Sequence, residues 1–394
     1  ATACCGLRSP SRRFGSASAG AAEPALPGVD PEGFRRVSWR AMSEDAARPW
    51  LRGIVLAALA ATVVATWNLW QARTAPPLVP WLDLAAPSFG WLLLGAMLAA
   101  MWRPRTGTAL LVVLFAWACL VDQTRLQPQV VSLCLLLAAT TSSRDLQLLG
   151  RLHLVTLWFY AGVAKLASEP FLFSARPWLL GRIVDSPPAW LQAAFPWLVV
   201  AAEIGLALLA LVPRTRRLAV VVAVALHGAI LFALVPHDNV AVWPWNVALA
   251  AAAGMLIGTW RTPIAEDVGS AHVVTRLLAA VLVLGPLTSY AGIGDPYLAH
   301  QLYTANVPTG LVCRVDGGRP WLRQGLNGRY RDPAAGLDCL VIDLIGGGLG
   351  VPAPPRPSYF AGYFRRDCRP GERLVILDHT RRAPVPKPAD RCRR

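Results

Sequence analysis

The sequence predicts an all-α polytopic membrane helical bundle of about nine transmembrane helices, followed by a small β-rich extracytoplasmic C-terminal domain. Three observations predict it. Of 394 residues, 55% are hydrophobic and 15% charged, whereas soluble domains carry about 25% charged residues. Apolar runs of about spanning length recur, and 14 of the 16 tryptophans fall between Trp50 and Trp260, many at the ends of those runs, as interfacial anchors do. Arginines concentrate in alternate loops. An ordinary water-soluble globule is excluded.

Residues 1–41, rich in Ala, Gly, Ser, Arg and Pro, read as a disordered extension. Met42 is read as the start of the native protein, with a cytosolic arm as the other reading. Cys4 and Cys5 have no apolar stretch before them, so a lipoprotein signal finds no support. A helix needs roughly 20 apolar residues to cross about 30 Å of hydrocarbon. Candidate spans lie near 50–70, 84–102, 107–122, 128–142, 149–168, 190–212, 218–235, 240–260 and 274–293. The third and fourth are short, and read either as a tilted pair or as one re-entrant hairpin.

One set of loops holds 11 arginines, among them Arg48, Arg103, Arg105, Arg144 and Arg216; the other holds four before the tail. By the positive-inside rule the N-terminus is cytoplasmic and nine crossings carry the tail outside. Cys313, Cys339, Cys368 and Cys392 then form an even set in an oxidising compartment, which predicts two disulfides with the pairing open. Residues 294–394 contain strand-length apolar runs at 340–342 and 374–377, broken by glycines at 346–348 and prolines within 352–357. Most of the formal net charge of +15 lies in the two ends of the chain. Without a basic face bearing stacking aromatics, it does not advertise nucleic acid. No Cys/His pattern at metal spacing stands out, and no metal is predicted.

The functional signal is ionisable residues inside apolar spans, where a charge costs at least about 2.5 kcal/mol and faces a cavity or a partner. They are His153, Lys165, Glu203 and His227. Only two lysines accompany the 36 arginines, and Lys165 is the one inside a span. Counting about 1.5 Å per residue, Glu203 and His227 reach similar depth and are expected to meet. Lys165 lies above them, nearer an outer-end polar cluster of Asp122, Gln123, His237, Asp238 and Asn239. The structural alternatives are an interfacial His153, an interhelical Glu203–His227 hydrogen bond, a Lys165 that snorkels to the headgroups and an interfacial turn at Trp243-Pro244-Trp245.

The segment Trp158-Phe159-Tyr160-Ala161-Gly162-Val163-Ala164-Lys165-Leu166 resembles the core motif of the vitamin K-dependent γ-carboxylase group, which includes the bacterial HTTM-domain proteins. Arg217, His227 ten residues on, and the stretch 236–245 extend the resemblance, which spans roughly 50–293. It implies a reduced, vitamin K-like lipid quinone as cofactor. Lys165 would be the base that deprotonates the quinol, with His227 supporting it in the cavity. Glu203 joins them as a candidate catalytic residue, with Tyr160, Asp122, His237 and Asp238 as candidate cofactor contacts. Three features depart from the carboxylase pattern: no histidine stands in 122–129, Ala164 replaces a second lysine, and the external region is short. Two function classes follow. One is a membrane enzyme, a quinol-dependent carboxylase-like lyase or quinol oxidoreductase. The other is a non-catalytic scaffold or assembly protein whose external domain binds an unknown protein partner.

Overall fold

The computed structural model describes residues 43–175, 179–234, 240–301, 304, 307–314, 326–332, 337–343, 348–377 and 387–392. The 1–41 extension therefore lies outside the described residues. Helix α1 (Glu44–Ala65) is capped by Ser43, whose side chain accepts from the Ala46 amide, and a 3-10 turn, Trp67–Trp70, follows it. Next come α2 (Phe89–Trp102), α3 (Pro104–Val121), α4 (Pro128–Ala139) and α5 (Arg144–Leu166). Short helices α6 (Glu169–Ala175) and α7 (Gly181–Ile183) lead to α8 (Ala189–Leu211) and α9 (Arg216–Leu234). The bundle closes with α10 (Val242–Ala252), which continues as a π turn at Ala253–Ile257, then α11 (Ile264–Ser270), α12 (Val273–Leu284) and α13 (Leu287–Tyr290). Proline at the first position starts α3 and α4, where no helical N–H is lost.

Each of the nine apolar segments is helical, but they are not equivalent. Five stretches are long and apolar enough to cross a membrane: Asp45–Ala65, Pro104–Val121, Ala189–Leu211, Arg216–Leu234 and Val273–Tyr290. Helix α2 has 14 residues and α4 has 12, or ~21 and ~18 Å of rise. Helix α5 is long enough at 23 residues, yet carries Arg144, Asp145, Arg151, His153 and Lys165. Its location explains the exception. Every residue from Gln147 to Trp158 is buried, so α5 is enclosed on all faces by protein and need not present an apolar surface to lipid. The outer helices are inverted by comparison: Trp91, Leu98, Phe232, Leu277 and Val281 are each more than 60% exposed.

The main helices alternate in direction. One end gathers the start of α1, the α2–α3 and α4–α5 links, and the starts of α9 and α12. Arg52 donates to the Thr140 carbonyl, Arg105 to Ser142, Thr275 to Asp145, and Arg216 to the Trp260 carbonyl. At the opposite end Arg125 donates to the carbonyls of Leu69 and Gln71, and Asn68 to that of Gly348 in the tail.

The tail holds a five-stranded antiparallel sheet of order β2-β3-β1-β4-β5, formed by β1 (Thr309–Arg314), β2 (Leu326–Asp332), β3 (Leu337–Ile342), β4 (Glu372–Leu377) and β5 (Lys387–Arg391). The two runs singled out in the sequence are the cores of β3 and β4. A bulge at Gly328, which has φ +68°, shifts the β2–β3 register. Helix α14 (Pro357–Asp367) buries Tyr359, Phe360, Tyr363 and Phe364 at helical spacing. At Gly362 a Cβ would come within 2.6 Å of Val79, so this glycine lets α14 lie against the bundle. Leu69, Trp70 and Val79 share one apolar core with Leu326, Tyr359 and Phe360. The sheet is docked, not tethered.

Both disulfides form. Cys313 pairs with Cys339, its register partner across β1 and β3, and Cys368 at the end of α14 pairs with Cys392 after β5. Cys119 and Cys134 are free, buried thiols. The bridges close loops of 26 and 24 residues, which on chain entropy corresponds to about 3 kcal/mol each. Cys313→Ser is expected to lower the denaturant midpoint of the tail accordingly. Limited proteolysis of wild type against variant, with non-reducing gels, reads the change; equal resistance would refute it.

Candidate functional site

A cavity inside the bundle collects most of the ionisable residues. On α5, Trp158, Ala161 and Lys165 recur at helical spacing and line it. Glu203 comes from α8, Leu226, His227 and Ile230 from α9, and Trp245 and Asn246 from α10. Its volume is about 80 Å³.

The central interaction is a buried ion pair. Lys165 Nζ lies 2.8 Å from Glu203 Oε1 and 2.9 Å from Oε2, and 3.5 Å from the Ala161 carbonyl oxygen. Phe171 closes the far side, with its ring centroid 5.8 Å from the ammonium. Lys165 therefore does not snorkel to the headgroups. Gly162, one turn before it in the same motif, makes the pair possible. A Cβ there would meet Ile204 Cγ1 at 2.7 Å and Glu203 Cβ at 3.2 Å, so only glycine lets α8 approach closely enough for its carboxylate to reach across.

His227 has different partners from those expected. Its Nδ1 is 2.8 Å from Asn246 Oδ1, and the Trp158 indole donates to its Nε2 at 3.1 Å. The geometry assigns the ring proton to Nδ1, leaving Nε2 as acceptor. Asn246 in turn donates to the Val242 carbonyl at 2.9 Å. The expected Glu203–His227 contact is thus replaced by Lys165–Glu203 and His227–Asn246, both facing one cavity. Asn246 and Trp245 were masked in sequence because Trp243-Pro244-Trp245 reads as a turn; it is the first turn of α10. An asparagine within an apolar run was the available signal.

A third imidazole enters from the tail. His300 lines the same cavity, beside Pro128, from a turn that starts at Asp295. Asp295 Oδ1 accepts from the amides of Tyr297 and Leu298, Gln301 donates to Ser289, and Ser168 donates to the Thr304 carbonyl. His300 has φ +58°, a left-handed conformation uncommon outside glycine and costing roughly 1–2 kcal/mol. Its ring lies 5.6 Å from that of His153, whose Nε2 is 2.7 Å from Ser132 Oγ. His153 is buried in protein. Burial pushes the His300 imidazole down to about 4, so it is neutral near pH 7.

The remaining expected site residues are elsewhere. Tyr160 faces away from the cavity, and its hydroxyl donates to the Val283 carbonyl at 2.5 Å, joining α5 to α12. Asp122 is a structural anchor. It accepts from Arg73 and from the Thr124 hydroxyl, each at 2.5 Å, and from the Val79 amide at 3.3 Å, holding the α1–α2 connection against the end of α3. Neither residue lines the cavity. His237, Asp238 and Asn239 lie outside the described residues. Of the paired arginines, Arg217 is exposed, whereas Arg216 is buried with its guanidinium carbon 3.8 Å from the Trp260 ring centroid. Among the described residues no group of three or more His, Cys, Asp or Glu could hold a metal ion.

No family model, curated protein or solved structure matches the chain.

Removing one partner of a buried ion pair strands the other charge, at about 3–5 kcal/mol. Glu203→Gln and Lys165→Met are each expected to lose that much in detergent-solubilised unfolding, while Lys165→Met/Glu203→Met recovers most of it. Additive losses would show that the pair is not coupled. Gly162→Val is expected to destabilise by about 1–3 kcal/mol through overpacking. A wild-type midpoint for this variant would contradict the close α5–α8 approach.

Proposed function

We propose that this chain is an integral membrane protein that binds a reduced lipid quinone in the α5–α8–α9–α10 cavity and takes a proton from it. The observation that carries the reading is the convergence of Lys165, Glu203, His227, Asn246 and His300 on one cavity walled by Trp158, Leu226, Ile230 and Trp245. Small-molecule sites combine apolar walls with a few placed polar groups, and a quinol ring with two hydroxyls suits that combination. The motif around Lys165, which resembles that of the vitamin K-dependent γ-carboxylases, favours the same ligand class.

The ion pair refines the roles. The Lys165 ammonium donates to both Glu203 oxygens, so the lone pair open to a quinol proton belongs to the carboxylate. A bound quinol would supply an acidic hydroxyl; Glu203 would hold its proton, and the Lys165 ammonium would offset negative charge beside it. His227 Nε2 accepts from Trp158 and serves as a fixed acceptor in the wall. The cavity of about 80 Å³ is below the ~300 Å³ of ordinary ligand sites, so binding a quinol ring would need its walls to move apart. Nine crossings with a cytoplasmic arginine-rich end and an extracytoplasmic sheet accord with the alternating helix directions and the two disulfides.

A second reading, a non-catalytic scaffold, draws on one observation: Lys165, Glu203 and His227 already satisfy one another or their neighbours. Turnover decides between them. With dissolved oxygen supplied as the two-electron oxidant, wild type in lipid vesicles is expected to accelerate loss of a reduced naphthoquinone, with Lys165→Met/Glu203→Met reduced at least 100-fold, within the range for loss of a general base. A fold-competent double variant as active as wild type would reject the pair. Failure of naphthoquinone to quench cavity tryptophan fluorescence, compared with Trp158→Phe, would reject the ligand class.

A further inference from the structure

We propose a second site, for the phosphate headgroup of an anionic phospholipid, at the arginine-rich end of the bundle. A groove of about 490 Å³ is formed there by the first turns of α1, the α2–α3 link and the α4–α5 link. Arg48, Arg52, Arg103 and Arg105 all line it, against the carboxylate of Asp45 alone. Among the described lining residues, four arginines thus face one carboxylate. Their existing bonds leave capacity: Arg48 pairs with Asp45, Arg52 reaches the Thr140 carbonyl at 3.4 Å and Arg105 the Ser142 hydroxyl at 2.6 Å. The Nε atoms of Arg48 and Arg52 are buried and have no acceptor among the described residues. A phosphate in the groove presents several oxygens to planar guanidinium forks.

The surroundings select a lipid over a dissolved anion. Trp50 and Trp102, 69% and 82% exposed, flank the groove on elements that line it. Met101 and Leu98, on the same helix as Trp102, are also exposed and apolar. Exposed tryptophans beside arginines mark headgroup depth. A phosphate in the groove would therefore have acyl chains running along the apolar face of α2. The 18-residue α3 also begins in the groove, at Pro104, with no side chain capping its first amides, which adds favourable potential for an anion.

The full-length protein, delipidated in neutral detergent, is the material for the test. It is titrated with dioleoylphosphatidylglycerol, dioleoylphosphatidylcholine or inorganic phosphate, and retained lipid is read by native mass spectrometry. Phosphatidylglycerol is expected to be retained over phosphatidylcholine by at least about 25-fold, two arginines at about fivefold each in affinity for anionic lipid. Arg48→Gln/Arg52→Gln should abolish that preference. Arg103→Gln, an exposed change that leaves folding intact, should lower it about fivefold. Arg365→Gln/Arg366→Gln, at the other end of the molecule, should leave it unchanged. Equal retention of the two lipids by wild type, or an undiminished preference in Arg103→Gln, would overturn the site. Displacement of phosphatidylglycerol by equimolar inorganic phosphate would make it a soluble-anion site and overturn the lipid assignment.

Discussion

The ion pair between Lys165 and Glu203 is the constraint around which the bundle is arranged. Two charges this deeply buried persist only when each oxygen and ammonium proton faces the other. That requirement sets the distance between α5 and α8, which Gly162 alone permits. It also sets the rotation of α5, whose Trp158, Ala161 and Lys165 must share one face. Once that face is chosen, Tyr160 necessarily looks the other way, toward α12, and takes the Val283 carbonyl. His227 and Asn246 then satisfy one another across α9 and α10, with Trp158 reaching over from α5. Four helices are thereby locked by three polar contacts.

Enclosure of α5 explains how one helix can carry so many polar groups. Arg151 donates to the Leu256 carbonyl, His153 meets Ser132, and Thr156 bonds back to the Leu152 carbonyl. Each would be costly facing hydrocarbon. Surrounded by protein, each finds a partner and instead specifies which neighbour lies where. The apolar burden falls on α8, α9 and the α12–α13 stretch, which are among the segments long and apolar enough to cross a membrane.

How much was legible in the sequence follows from which signals are local. Apolar runs, span-edge tryptophans and the even set of tail cysteines are local, and the helices, the membrane character and the disulfides followed from them. The convergence of Lys165, Glu203 and His227 on one cavity also follows, because a charge in an apolar run has few places to go. Their pairing did not. Depth counting starts every helix at one plane, but α8 begins well beyond the end of α5, so Glu203, two-thirds along it, stands level with Lys165 rather than with His227. Asp122 pairs with Arg73, 49 residues away in the sequence. No local pattern announces such an anchor.

His300 was invisible for a deeper reason. A residue outside the spans is assigned to water by hydropathy, yet here the start of the tail folds back into the mouth of the bundle. Its strained backbone is held from both sides. Gln301 and Thr304 are tied to Ser289 and Ser168 of the bundle, while Tyr297 donates to the Ala353 carbonyl at 3.0 Å and Arg356 pairs with Asp295. Ala353 and Arg356 lead directly into α14, which the Cys368–Cys392 bridge fastens to the edge of the sheet. The sheet, the bridge, α14 and the His300 turn therefore form one continuous chain of contacts ending at the cavity. The covalently stapled domain is therefore linked, through these contacts, to the His300 that completes the cavity wall beside Pro128.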